Sequence, residues 1–146
     1  MNSPPRLNMP ESWQINAALL LVRIASALAF LYHGSAILFG AFGGPGPDKF
    51  AAARNMPAVI GYLVGLAQVA GGLAVLTGIL TRVGAACVAL VMLGAIFLVH
   101  LPHGFDVSRG GMEYAFTQLL LAIALILTGS GAYSLSSWLP ASLRKL

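Results

Sequence analysis

GYLVGLAQVAGGLAVLTGIL, residues 61 to 80, holds no charged side chain in twenty positions. At 1.5 Å per residue a helix of that length reaches about 30 Å, the thickness of the hydrocarbon core of a bilayer. The stretch therefore reads as a membrane-spanning helix. Its one amide, Gln68, lies at mid-depth, and its helical neighbours at three, four and seven residues are Gly61, Val64, Gly65, Gly71, Gly72 and Val75. So small a face lets a second helix approach closely, which points Gln68 into a bundle and away from lipid.

Working outward, three more apolar runs cover about Ile15 to Phe39, Val83 to Leu101 and Tyr114 to Thr128. The chain is 58% hydrophobic and 8% charged, far from the roughly one-quarter charge of a soluble domain. The expected fold is an all-α integral membrane bundle of four transmembrane helices. Residues 1–14 read as a polar N-terminal tail, 15–132 as the transmembrane domain, and 133–146 as an interfacial tail with Tyr133 and Trp138. The first apolar run is longer than the roughly 7 to 15 residues of a signal-peptide core, so it is expected to be a retained helix. Threading the runs up and down puts both termini on one side. Arg6, Arg82, Arg144 and Lys145 on that side against Lys49, Arg54 and Arg109 on the other tilt the termini toward the cytoplasm.

Several function classes fall away on composition. The net charge of +4 is scattered, without the basic cluster that nucleic acid requires. Cys87 is the single cysteine, so an internal disulfide and Cys-x-x-Cys chemistry are both excluded; as a lone thiol in an apolar run it reads as structural. No nucleophile, nucleotide loop or covalent-cofactor motif is found, so any redox role needs a bound cofactor or a partner protein.

Ionisable groups inside a membrane are costly and are functional candidates by default. Arg23 and His33 share an inward wedge of the first run, about 15 Å apart along the axis; Arg23 is also close enough to the end to snorkel. In LVHLPHGFDVSRGGMEYAF, residues 98 to 116, His100 and His103 leave the third run and Glu113 opens the fourth. The stripe Glu113, Thr117, Leu120, Ala124 and Thr128 reads as the most polar helical face. Threading gathers His33, His100, His103 and Glu113 at one membrane face. Pro102 breaks the His-x-x-His spacing and no cysteine or second carboxylate completes a shell, so the set suits proton-coupled binding of a polar headgroup such as a quinone better than a metal. Haem between His33 and His100 or His103 is a lesser alternative. A purely structural reading also stands, in which these side chains satisfy backbone freed at Pro102 and Gly110.

The patterns LVRIASALAFLYHGSAILFG, GLAQVAGGLAVLTGILTRVGA, AIFLVHLPHGF and GGMEYAF together resemble the DoxX family of small four-helix bacterial membrane proteins, over roughly residues 17 to 135. The resemblance implies a multi-pass protein of the bacterial cytoplasmic (inner) membrane, tied to respiratory or thiol and oxidative-stress redox chemistry, and related to the DoxD subunit of thiosulfate:quinone oxidoreductase. It implies protein partners in a redox complex and leaves room for a homo-oligomer. It transfers Arg23, His33, Gly34, the Gly71-Gly72 pair, Arg82, His100, His103 and Glu113. Position 68 departs from the pattern, with Gln68 where relatives have a glutamate, so a proton relay through mid-bundle is in doubt while hydrogen bonding survives. The expectation is thus a quinone-interacting subunit with His33, His100, His103 and Glu113 near the headgroup and Arg23 and Gln68 organising the bundle. The alternative is a non-catalytic anchor for soluble redox enzymes.

Overall fold

The computed structural model describes residues 12–140 and 142–143. The polar tail up to residue 11, with Arg6, and the charges Arg144 and Lys145 lie outside the described residues. Five helices follow in order: α1 (Ser12–Leu38), α2 (Gly46–Ala52), α3 (Ala58–Thr77), α4 (Thr81–Ala95) and α5 (Glu113–Thr128). No strand occurs among the described residues. Three helical stretches are long and apolar enough to cross a membrane: Trp13–Leu38, Ala58–Thr77 and Thr81–His103. The fourth, α5, is apolar but has 16 residues, which reach about 24 Å against a core of about 30 Å.

Each boundary has a local cause. Helix α3 stops at Gly78, whose left-handed backbone (φ +76°) lets its N–H close on the Ala74 carbonyl. Helix α4 loosens into a π turn over Ile96–His100 and a 3-10 turn over Leu101–His103, because Pro102 has no N–H with which to continue the ladder. Up to the start of the π turn, Ala89, Met92 and Ile96 face the core while Leu93 is exposed.

Packing runs in a ring, α1 on α3, α3 on α4, α4 on α5 and α5 back on α1, with α2 lying on α3. The small-residue face of α3 is the buried one, comprising Gly61, Gly65, Gln68, Gly71, Gly72 and Val75. A Cβ added at Gly34 of α1 would meet Gln68 Cβ at 2.8 Å and the Val69 backbone nitrogen at 2.9 Å, so α1 and α3 touch almost backbone to backbone. Phe30, Val75, Val88, Met92, Ile96 and Leu125 fill the middle. The outside is apolar too: Leu90 and Leu127 are 72% and 73% exposed, and Cys87 is also exposed on α4. An apolar exterior around a closed helical ring suits lipid as the surrounding solvent.

The most polar face of α5 is not the one it buries. On α5 the buried residues are Ala115, Gln118, Leu119, Ala122 and Leu125; Thr117, Leu120, Ala124 and Thr128 face outward. The two threonine hydroxyls donate to the carbonyls four residues earlier, those of Glu113 and Ala124, so they need no partner from the bundle.

Candidate functional site

At one end of the bundle, Arg23 is only 1% exposed and all three of its guanidinium nitrogens donate. Nε donates to the Val75 carbonyl (2.8 Å), Nη2 to Leu76 (2.7 Å), and Nη1 to both Ser130 (2.9 Å) and Tyr133 (2.6 Å). Two of these acceptors belong to the last turn of α3, where carbonyls lack helical partners and the helix dipole favours a cation. The other two belong to the segment after α5. Asn16 adds a second tie, its Oδ1 accepting from the Ala132 N–H at 2.8 Å. Arg23 therefore does not snorkel; it joins three parts of the chain. The shallow pocket beside it, about 260 Å³ and lined by Leu20, Leu76, Tyr133 and Leu135, is apolar and offers a ligand no uncommitted charge. Arg82, also at this end, reaches the Leu127 carbonyl at 3.4 Å.

One turn further along α1, the buried Ser26 hydroxyl donates to Gln118 Oε1 of α5 at 3.1 Å. Gln118 carries no mark in the sequence beyond being an amide in an apolar run, and that mark alone could have found it. Gln68 lies deeper toward the other end, 5% exposed, with its Oε1 lacking any hydrogen-bond partner among the described residues.

The opposite end carries the histidines. His100 Nδ1 donates to the Gly110 carbonyl at 2.7 Å, and His103 Nδ1 donates to the Val99 carbonyl at 3.0 Å. Since a carbonyl can only accept, both rings hold their proton on Nδ1 and leave Nε2 open. Glu113 Oε2 accepts from the Val107 N–H at 3.3 Å. The loop between them is tightly wound, with Met112 and Glu113 amides bonded to the Gly104 and Phe105 carbonyls at 2.9 Å. Asp106 Oδ1 takes the Ser108 amide at 2.9 Å, and the Ser108 side-chain and backbone hydrogen bonds hold the Asp106 carboxyl below its ordinary range. Three of the four expected site residues thus knit this loop to itself and to the end of α4.

His33 is the exception. It is exposed, its imidazole makes no hydrogen bond among the described residues, and two phenol rings lie near it: Tyr32 edge-on at 5.3 Å and Tyr114 tilted at 5.7 Å. Tyr114 brings the start of α5 against α1. Tyr32 in turn stacks on Phe42 at 4.9 Å with the planes 19° apart. The structure therefore extends Phe42, Tyr32, His33 and Tyr114 as one seam at the loop end. The aromatic members escape a sequence reading that looks for titratable groups; the adjacency of Tyr32 to His33, and of Tyr114 to Glu113, was the available signal.

Phe42 is unusual in its own right. Its backbone is left-handed (φ 57°, ψ 28°), which for a bulky residue costs on the order of 1–3 kcal/mol. Stacking on Tyr32 returns about 0.5–1.5 kcal/mol, and with 71% of the residue exposed burial returns little. Arg23 and Gln68 belong to the bundle beneath the seam. Among the described residues no three His, Cys, Asp or Glu side chains converge as a metal site.

Comparison with known proteins adds a family. A family model described as DoxX matches residues 18–101. A curated relative from Bacillus subtilis (strain 168), named "Putative oxidoreductase CatD", is 31% identical over 122 residues, which cover 84% of this chain and 85% of that protein. No solved structure matches the chain.

Proposed function

The chain belongs to the DoxX family, and on that premise we propose that it is a redox-linked subunit of the bacterial cytoplasmic membrane that binds a quinone headgroup at the His33 seam. Four spans with both termini in the cytoplasm are part of the same reading; α5 then completes its crossing with the polar backbone of the loop beside it. One observation carries the proposal. Of His33, His100, His103 and Glu113, His33 alone makes no hydrogen bond among the described residues, and the Tyr32 and Tyr114 rings lie 5.3 and 5.7 Å from its ring. A quinone is a flat ring with two carbonyl acceptors, so it suits an imidazole donor with aromatic rings beside it. Reduction of that ring takes two electrons and two protons; the His33 imidazole offers a nitrogen that can hand a proton to a quinone oxygen, and the electrons come from a partner oxidoreductase. The open Nε2 atoms of His100 and His103 and the free oxygen of Glu113 connect the seam to water. Arg23 and Gln68 hold the bundle beneath it.

The test is an ultraviolet–visible oxidised-minus-reduced difference spectrum of the detergent-purified protein with added quinone. Expected is a quinone signal retained by the wild type and lost in His33→Ala. A Soret band in place of a quinone signal would move the assignment to haem.

A membrane anchor for soluble redox enzymes is the second reading, favoured by the loop-knitting bonds of His100, His103 and Glu113. It expects a featureless spectrum, a silent His33→Ala, and loss of function when the Gly40 to Met56 connection or the C-terminal tail is altered.

A further inference from the structure

The geometry points to Phe42 as a displaceable wall of the ring site: we propose that a planar quinone-type ring is held between Phe42 and Tyr32, beside His33. The inference rests on the quinone-binding reading of the seam and goes further by naming a residue that selects flat rings. Phe42 and Tyr32 are already parallel to within 19° at 4.9 Å. A ring inserted between two stacked rings needs one further aromatic contact distance, about 3.5 Å, so Phe42 has to retreat by about one ring thickness.

The connection is built to permit that. Gly40 and Gly43 on either side of it are left-handed (φ +68° and +75°), and a Cβ at Gly43 would meet nothing within 4 Å. Gly44, by contrast, is pressed against the Ala36 backbone, and its N–H closes on the Ala41 carbonyl at 2.9 Å. The segment is anchored at its end and free at its tip. Packing does not account for a phenylalanine there, because the residue is mostly exposed and its strained backbone would suit glycine, the residue at 40 and 43. Strain and stacking oppose one another, so the closed position is held weakly and a ligand ring can replace the contact it breaks.

The experiment uses the full-length chain in detergent micelles and the tailless naphthoquinone menadione, with binding read by equilibrium dialysis against empty micelles. Phe42→Leu keeps an apolar side chain for lipid but removes the ring; Phe42→Gly also relieves the left-handed backbone. Both are expected to bind menadione about five- to tenfold more weakly, the loss of one stacking contact, while Phe42→Trp stays within about twofold of the wild type. Phe42→Gly is expected to unfold on heating no earlier than the wild type, which separates lost binding from lost folding. Wild-type affinity in both Phe42→Leu and Phe42→Gly, with binding abolished in His33→Ala, would overturn the role of Phe42 and leave the quinone reading standing. No menadione binding by the folded wild type would overturn that reading and this inference together.

Discussion

The two ends of the helical ring treat their polar groups in opposite ways. Around Arg23, four backbone carbonyls converge on one guanidinium within 2.6–2.9 Å, and four of its five N–H groups are used. Around His33, an imidazole faces aromatic rings with both nitrogens unspent, and its neighbours His100, His103 and Glu113 each keep one open atom. A charged group whose bonds are filled by backbone holds a fold together. Groups with atoms to spare, gathered at a membrane boundary, can meet something that is not part of the chain. The difference assigns structure to one end and leaves at the other the open atoms on which the proposed quinone site rests, although sequence alone marks both as ionisable residues in apolar helices.

The largest expected effect tests the structural end. Arg23→Ala leaves the Val75, Leu76, Ser130 and Tyr133 carbonyls unmatched and should cost about 3–5 kcal/mol, enough to abolish a folded product. Arg23→Lys should rescue little, since an ammonium has three donors and no planar fork. Thermal unfolding followed by size-exclusion in detergent measures both, and a well-folded Arg23→Ala would break the comparison outright. Next comes the helix contact between the ends. Gly34→Ala pushes a methyl to 2.8–2.9 Å from Gln68 and Val69 and should cost about 1–3 kcal/mol, seen as an earlier thermal midpoint.

Ser26→Ala removes the buried bond to Gln118 and should cost about 0.6 kcal/mol, the typical worth of a hydrogen bond between membrane helices; a double-mutant cycle with Gln118→Leu isolates it. His33→Ala sharpens the contrast from the other side. Its stability should stay within about 0.5 kcal/mol of the wild type, and a larger loss would mean that His33 is structural after all. The smallest effect belongs to Asp106. Its carboxyl is held below its unfolded value by Ser108, so its contribution is present above about pH 3.9 and fades as pH falls through the lower folded value. Circular dichroism between pH 5 and pH 2 should show a slight loosening of the 101–112 loop that Asp106→Asn no longer shows.

Much of the architecture was legible before any coordinates. Absence of charge over 61–80 makes α3 a helix suited to a bilayer, and its row of glycines correctly identifies the buried face, because close approach of two helices demands small residues wherever it occurs. The site was legible only as a neighbourhood. His100 and His103 are legible as residues at the end of an apolar run, but their Nδ1 bonds depend on where Gly110 and Val99 turn their carbonyls. On α5 polarity does not mark the buried face, since a threonine hydroxyl can be satisfied by its own helix and a glutamine cannot do so as readily; Gln118 is buried and Thr117 is not. Arg23 was equally consistent with snorkelling and burial until the segment after α5 was seen to fold back over it.

Sequence by itself determined that this chain is helical, apolar on the outside and closely packed through glycine, because hydropathy, helical period and side-chain size are local properties that no partner can alter. The DoxX resemblance was likewise carried by residues in their order. Only tertiary structure decided which polar groups are spent and which remain open. That depends on the three-dimensional meeting of carbonyls, amides and rings from segments as far apart as Arg23 and Tyr133, or His33 and Tyr114. Hydrogen bonds are satisfied pair by pair in space, and spacing along one helix does not say what the next helix brings to meet it.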